Sequence, residues 1–484
     1  MPQTRAAKRR YNRRVTSTTE IRRELRPTLE LAFPIIVGQV SQMLIGLTDT
    51  AFIGRLGAVP LAAAAFTQGI FGMCYVVCIG TLVGPGVFAA RDQGAGDEAS
   101  CASWLRHGRV LALITALGAF ALLALVSTQF EHLGQPREVI AIVRPFFLLV
   151  SASLVPALIF QVQRQFAESV GQAWGPMCII VADVALNAFF NWVLVFGHLG
   201  FPPLGLLGSG YATLLARLSA VLAIGIWLRL SRQFSGVRSA AWSGFRVERF
   251  TALLRLGLPA GVMLLFETGA FSASALMMGW LGAVSLAAHQ VALSCAALTF
   301  MVPLGLSHAV AMRISRARGE GRSSSLRAIG LGGLLSGLFA MSTFALLFTL
   351  AGSIITETFT PVRDVSALAT RLLVIAAIFQ VFDGAQVISV GALRGLTDVR
   401  LPAGLTFAAY LVAVTTARLL ARVPHRARRS WLVGRPGRGL GGGRSLARLA
   451  LSAQNPCVQG HLSPKLPSCI DNLAPRAQGL LLPC

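Results

Sequence analysis

Long apolar runs, separated by short polar connectors that bear arginine, set the pattern of this chain from residue 28 onward. They fall at 28–54, 61–90, 109–130, 140–163, 174–197, 207–230, 251–279, 285–312, 328–356 and 367–393. Each reaches or exceeds the ~20 apolar residues that carry a helix through a bilayer core, so each predicts a spanning helix. A further run at 402–417 is weaker, with only about 15 apolar residues.

The connectors orient the spans. Residues 1–27 hold Arg5, Lys8, Arg9, Arg10, Arg13, Arg14, Arg22, Arg23 and Arg26, which places the N-terminus in the cytoplasm. No cleavable signal is expected there, because the first apolar run is long and lacks a small-residue cleavage site. The first helix is then a retained span. With that start, the inside connectors collect most of the arginines, including Arg91, Arg106, Arg109, Arg164, Arg313, Arg316 and Arg394. The outside ones hold only Arg55, Arg137, Arg144, Arg363 and Arg371.

An internal repeat lies beneath this pattern. Displaced by about 225 residues, the sequence matches itself without a gap over some 65 positions, as repeated transporter halves do. The motif ending at Pro34 falls on the one ending at Pro259, and Arg55-Leu-Gly-Ala-Val falls on Trp280-Leu-Gly-Ala-Val. Gly80 falls on Gly305, Arg91 on Arg316, Gly94 on Gly319 and Gly96 on Gly321. Pro176 matches Pro402 with a shift of one. Six spans separate the copies, so both share one orientation. The expected fold is an all-α polytopic membrane protein of two parallel six-helix lobes, related by a pseudo-two-fold axis along the membrane normal.

The segments follow: a basic N-terminal stretch at 1–27, a first lobe at 28–230, a cytoplasmic linker at 231–250 and a second lobe at 251–414. That second lobe lacks its last helix. From about 415 to 484 the chain turns rich in Arg, Gly and Pro, the composition an out-of-frame reading of GC-rich DNA would give; a disordered basic tail is the alternative.

Composition agrees: 54% hydrophobic and 13% charged, against roughly 25% charged for a soluble domain. The net charge of +24 does not mark a nucleic-acid binder, because it sits in connectors and tail with no recognisable nucleic-acid module. The eight cysteines show no metal spacing. The glycine-rich ends after Arg91 and Arg316 read as helix C-caps. They lack the Lys-Ser/Thr of a phosphate loop. No nucleotide-binding domain and no enzyme chemistry are expected.

Acids inside the spans are few: Asp49, Asp183, Glu267 and Asp383. Carboxylates at bilayer depth are expensive and point to function. Gln380, Asp383 and Gln386 follow a three-residue spacing that places them on roughly one face. Asp183, Asn187 and Asn191 form an i, i+4, i+8 stripe, either a hydrogen-bonded seam between helices or a cavity wall. Glu168 reads as a solvated helix end, and Arg217 is the one arginine clearly inside a span. An acid that alternates between neutral and charged can exchange H+ or Na+ for a cationic substrate.

The stretch AFPIIVGQVSQMLIGLTDTAFIGRLG in the first lobe, with ALNAFFNWVLVFGHLGFPPLGLLGSGYAT from Ala185 and FQVFDGAQVISVGALRGLTDVRLP from Phe379, resembles the multidrug and toxic compound extrusion (MATE) transporters, NorM-like branch. The resemblance covers roughly 28–414 and implies twelve helices. It also implies cation coupling at Glu267 and Asp383, a first-helix acid at Asp49, and a polar pair at Asn187 and Asn191. Asn191 departs from the Asp of the archaeal branch, which favours Glu267 and Asp383 for the ion; Na+ there is the one metal ion implied.

The implied function is a secondary antiporter of the inner or plasma membrane that exports amphipathic, often cationic, organic compounds or drugs against H+ or Na+. No cofactor beyond that coupling ion is expected. The partners would be small-molecule substrates and membrane lipid, without nucleic acid, and the protein a monomer. The cavity-lining candidates are Asn187, Asn191, Asp183, Gln380 and Gln386. A lipid-linked precursor flippase of the same superfamily and a non-functional truncated membrane protein are the alternatives. A flippase for anionic lipid-linked sugars would be expected to line its cavity with Arg or Lys.

Overall fold

A computed structural model describes residues 18–133, 137–239, 244–399 and 402–404. Most of the weak run at 402–417, the tail from about 415, and part of the 231–250 linker lie outside the described residues. All the regular structure described is helical.

Among the described residues ten helical segments are long and apolar enough to cross a membrane, one for each long apolar run. The first lobe comprises α1 (Thr18–Gly54), α2 (Ala58–Thr81) running on into α3 (Gly84–Gly94), α4 (Glu98–Ser127), α5 (Arg137–Ala152) continued by α6 (Leu154–Ser169), α7 (Trp174–Phe196) and α8 (Leu206–Leu230). The second comprises α9 (Val247–Trp280), α10 (Ala283–Gly319), α11 (Ser325–Phe359) and α12 (Arg363–Gly395). Between the lobes lies a short helix at Ser235–Ser239.

α1 starts ten residues before its apolar run. The charged turn is retained as helix because it has partners. Glu24, only 8% exposed, takes a 2.6 Å ion pair from Arg313 of α10 and a 2.9 Å pair from Arg322. Hydropathy marks where lipid begins, and here the helix runs past that point onto the other lobe.

The repeat is visible in the packing. α1 lies against α10, and its counterpart α9 lies against α2. A Cβ on Gly80 would strike the backbone of Gly261, while one on Gly305 would come within 2.6 Å of Ile36 Cγ1. Ile36 and Gly261 are themselves repeat mates, so this is one contact made twice. The same reciprocity holds further along: Gly94 abuts the Arg316 carbonyl, and Gly319 abuts the Arg91 carbonyl.

The C-cap reading of these motifs therefore covers only half of each. Gly96 and Gly321, with φ of 77° and 73°, occupy the left-handed position after their helices. Gly94 and Gly319 instead let two backbones meet at the lobe seam, where any side chain would separate them. The αL turn after α6 uses Gly171 (φ 85°), and its counterpart after α12 is Thr397 (φ 64°).

The lobes are joined at one end. Hydrogen bonds between them include those of Arg313 and Arg322 to Glu24, Arg313 to Thr28, Ser315 to the Val87 carbonyl and Arg249 to Ser100, with the Arg246 amide of the linker donating to His107. All fall at the end bearing Gly94 and Gly319. At the opposite end Leu276, Trp280 and Leu281 of the second lobe are exposed.

Candidate functional site

Each lobe holds an acidic position of its own. In the first lobe, α1 carries Asp49 to within reach of α7 and α8. Asn187 Nδ2 donates to Asp49 Oδ1 at 3.0 Å and Asn191 Nδ2 donates to the same oxygen at 2.8 Å. Thr213 Oγ1 donates to Oδ2 at 3.1 Å. Three donors from two helices thus converge on one half-buried carboxylate. Four helical residues turn through about 400°, so an i, i+4, i+8 stripe drifts slowly around its helix and keeps one face. Both asparagines are fully buried, which makes this part of the stripe a hydrogen-bonded seam.

Asp183, one turn before Asn187, is also buried, and its Oδ1 has no hydrogen-bond partner among the described residues. Arg217 of α8 donates to Ser153 Oγ at 2.7 Å and lies over the rings of Phe71 and Tyr75, 5.5 and 5.7 Å from their centroids. Thr213 had no place in the sequence reading. The signal was present as Ser209 and Thr213, an i, i+4 polar pair leading on to Arg217 one turn later.

The second lobe is arranged differently. Glu267 on α9 and Asp383 on α12 are half-buried, and neither makes a side-chain hydrogen bond among the described residues. A T-shaped contact between Phe271 and Phe379, centroids 6.3 Å apart, fixes their relation. Phe271 lies one turn after Glu267, and Phe379 one turn before Asp383. Successive spans alternate in direction, so α9 and α12 are antiparallel, and the two acids share one level, a turn to the same side of the aromatic pair.

The expectation that Gln380, Asp383 and Gln386 share a face is corrected. Gln380 is 2% exposed and donates to Thr299 Oγ1 at 2.7 Å and to the Ala296 carbonyl at 3.0 Å, both on α10. Gln386 is exposed. Six residues turn through about 600°, which leaves the two glutamines some 120° apart. One packs against a neighbouring helix while the other faces outward.

Two readings of charge also change. Glu168 is not solvated: it is 2% exposed and lies 3.5 Å from the guanidinium of Arg164, itself 1% exposed. Arg164 also donates twice to Gln39 Oε1, at 3.2 Å each. Arg394 is likewise buried inside α12. Arginines near a span end read as connector charges because hydropathy cannot show a neighbouring lobe. These lie at the joined end of the bundle, away from the Asp49 cluster.

Comparison with known proteins agrees with this geometry. The MatE family model matches twice, at residues 34–193 and 259–418, windows set apart by the same 225-residue displacement as the repeat. A probable multidrug resistance protein NorM from Mesorhizobium japonicum is 33% identical over 394 residues, covering 79% of this chain and 83% of that protein. The one from Bradyrhizobium diazoefficiens is 34% identical over 406 residues, covering 81% and 86%. Among solved structures, a eukaryotic MATE transporter superposes with a TM-score of 0.76 at 20% identity, over 85% of this chain and 92% of that one. An outward-facing multidrug resistance MATE transporter of the MOP superfamily superposes with a TM-score of 0.71 at 21% identity, over 80% and 86%. With its two-lobed helical bundle and both halves of the repeat matched, this chain belongs to the MATE family of multi-pass membrane multidrug transporters and is not an enzyme.

Proposed function

We propose that this transporter is a secondary antiporter that expels amphipathic, often cationic, organic compounds in exchange for inward H+ or Na+. The lobes rock about a central cavity between two states, and a coupling ion drives the cycle only if it binds one state better than the other. With the arginine-rich end taken as cytoplasmic, the inter-lobe bonds at that end support a state closed to the inside, in an inner or plasma membrane.

One observation carries the reading: Glu267 and Asp383 share a level in the second lobe and have no donor within the described protein. Such carboxylates remain free to take a proton or a sodium ion. Asp49, by contrast, has three donors already and would need to shed some of them to do the same. We therefore assign ion exchange to the Glu267–Asp383 pair and give Asp49 a second, conditional role. Asn187, Asn191 and Asp183 belong to the first-lobe wall around it.

Everted vesicles carrying a fluorescent cationic dye test this under a sodium gradient or a pH gradient alone. Efflux driven by either gradient supports antiport, and the effective gradient identifies the ion. A flippase for anionic lipid-linked sugars is favoured less. Arg164 and Arg394 are buried and Arg313 half-buried at the joined end, which leaves Arg217 as an interior cation on the first-lobe side.

A further inference from the structure

A cleft of about 440 Å³ lies where the turn between α6 and α7 meets α1 and the end of α10, apart from the acids of either lobe. Trp174 lines it, with Phe33 packed beside that ring. Trp174 and Phe33 are 56% and 57% exposed, and their ring centroids stand 6.0 Å apart. An outward-facing tryptophan at the first residue of a spanning helix marks the level of lipid headgroups.

The interior of the cleft is polar and unevenly satisfied. Glu168, 2% exposed, lines it, and its Oε2 meets no donor among the described residues. A buried carboxylate oxygen left without a partner is costly, so the position calls for one. Pro34 in α1 has no amide to offer the Glu30 carbonyl one turn back, and both residues line the same cleft. That wall therefore presents acceptors. The facing wall presents a donor. Arg316 spends its Nε on Glu320 at 3.0 Å and leaves its terminal nitrogens without a hydrogen-bond partner among the described residues, whereas Arg313 and Arg322 are held by Glu24.

Acceptors for an ammonium, a guanidinium for a phosphate, and an aromatic rim at headgroup level occur together here. We propose that this cleft binds the headgroup of phosphatidylethanolamine, its primary ammonium donating to Glu168 and its phosphate resting on Arg316. A choline headgroup has no N–H to donate, and a glycerol headgroup brings no cation. Because the walls come from both lobes, the bound lipid ties α10 to α1 and to the α6–α7 turn, and so favours the state in which this end is joined.

The test is native mass spectrometry of the full-length protein equilibrated with equal amounts of phosphatidylethanolamine, phosphatidylcholine and phosphatidylglycerol. The wild type is expected to retain phosphatidylethanolamine about tenfold over the others, the scale of one charge-assisted hydrogen bond. Glu168→Gln is expected to abolish the preference over phosphatidylcholine. Arg316→Gln, on a half-exposed residue whose loss leaves the core intact, is expected to weaken retention of all three lipids. Equal retention of the three by the wild type overturns the proposal, as does undiminished retention in Arg316→Gln. Soluble phosphoethanolamine that displaces the lipid at equal concentration overturns the lipid assignment, because the rim would then contribute nothing.

Discussion

The two lobes share a scaffold and use their acids in opposite ways. In the first lobe Asp49 is pinned by Asn187, Asn191 and Thr213; in the second, Glu267 and Asp383 have no such hold among the described residues. The repeat shows that these are not equivalent acids. Glu267 falls on Gln42, and Asp49 falls on Ser274, so the two carboxylates occupy positions seven residues apart on matching helices. At 1.5 Å per residue that is about 10 Å along the axis. A carboxylate with its lone pairs engaged contributes to the architecture of its lobe. One without donors remains available to an ion.

The largest expected effect separates those roles. Glu267→Gln combined with Asp383→Asn should cut ion-driven dye efflux by at least about tenfold, roughly 1.4 kcal/mol in coupling, while thermal stability is unchanged or improved, since two half-buried carboxylates without donors are replaced by neutral amides. Vesicle efflux and a thermal melt on the same preparation check both halves. Unaltered efflux would remove the assigned exchange site.

Asp49→Asn should show the opposite balance. It leaves a carbonyl oxygen to accept from Asn187 and Asn191 but sets an amide nitrogen against the Thr213 hydroxyl and removes the charge that strengthens all three bonds, at a cost of about 1–3 kcal/mol. The melting temperature and the efflux rate are expected to fall together. A variant with full stability and no efflux would instead place the exchange at Asp49.

Two smaller effects sharpen the frame around that contrast. Gly94→Val pushes a branched side chain against the Arg316 carbonyl at the seam. Closure of that end should lose about 1–3 kcal/mol, the scale of overpacking. Cysteine-accessibility labelling of the seam would register the shift, and unchanged labelling would mean the seam is not held by close backbone approach. Gln380→Ala should cost about 1 kcal/mol through its lost bonds to α10, whereas Gln386→Ala should stay within about 0.5 kcal/mol. Equal costs would restore the shared face that the structure removes.

Much of the fold was legible in the chain because lipid enforces it. A segment in hydrocarbon must be apolar and must satisfy its own backbone, so spans announce themselves by length alone. All ten long runs fall in helical segments long and apolar enough to span, and the repeat displacement recurred in both the seam contacts and the two family-model matches. The acids were equally legible, because a carboxylate in such a run has few innocent explanations. Partnerships were not. Glu168 and Arg164 looked like helix-end charges, yet they are buried together, and Glu24 sits inside a helix extended to reach Arg313.

Sequence alone therefore determined which segments cross the membrane, the doubled lobe and the handful of acids that call for explanation. Each of these follows from one-dimensional constraints: hydropathy, period and self-similarity. Tertiary structure decided which acid is held and which is free, that Gln380 and Gln386 diverge, and that Gly94 and Gly319 serve the seam while Gly96 and Gly321 cap their helices. Those outcomes depend on what lies across a helix–helix contact, and that neighbour comes from residues some eighty or more positions away.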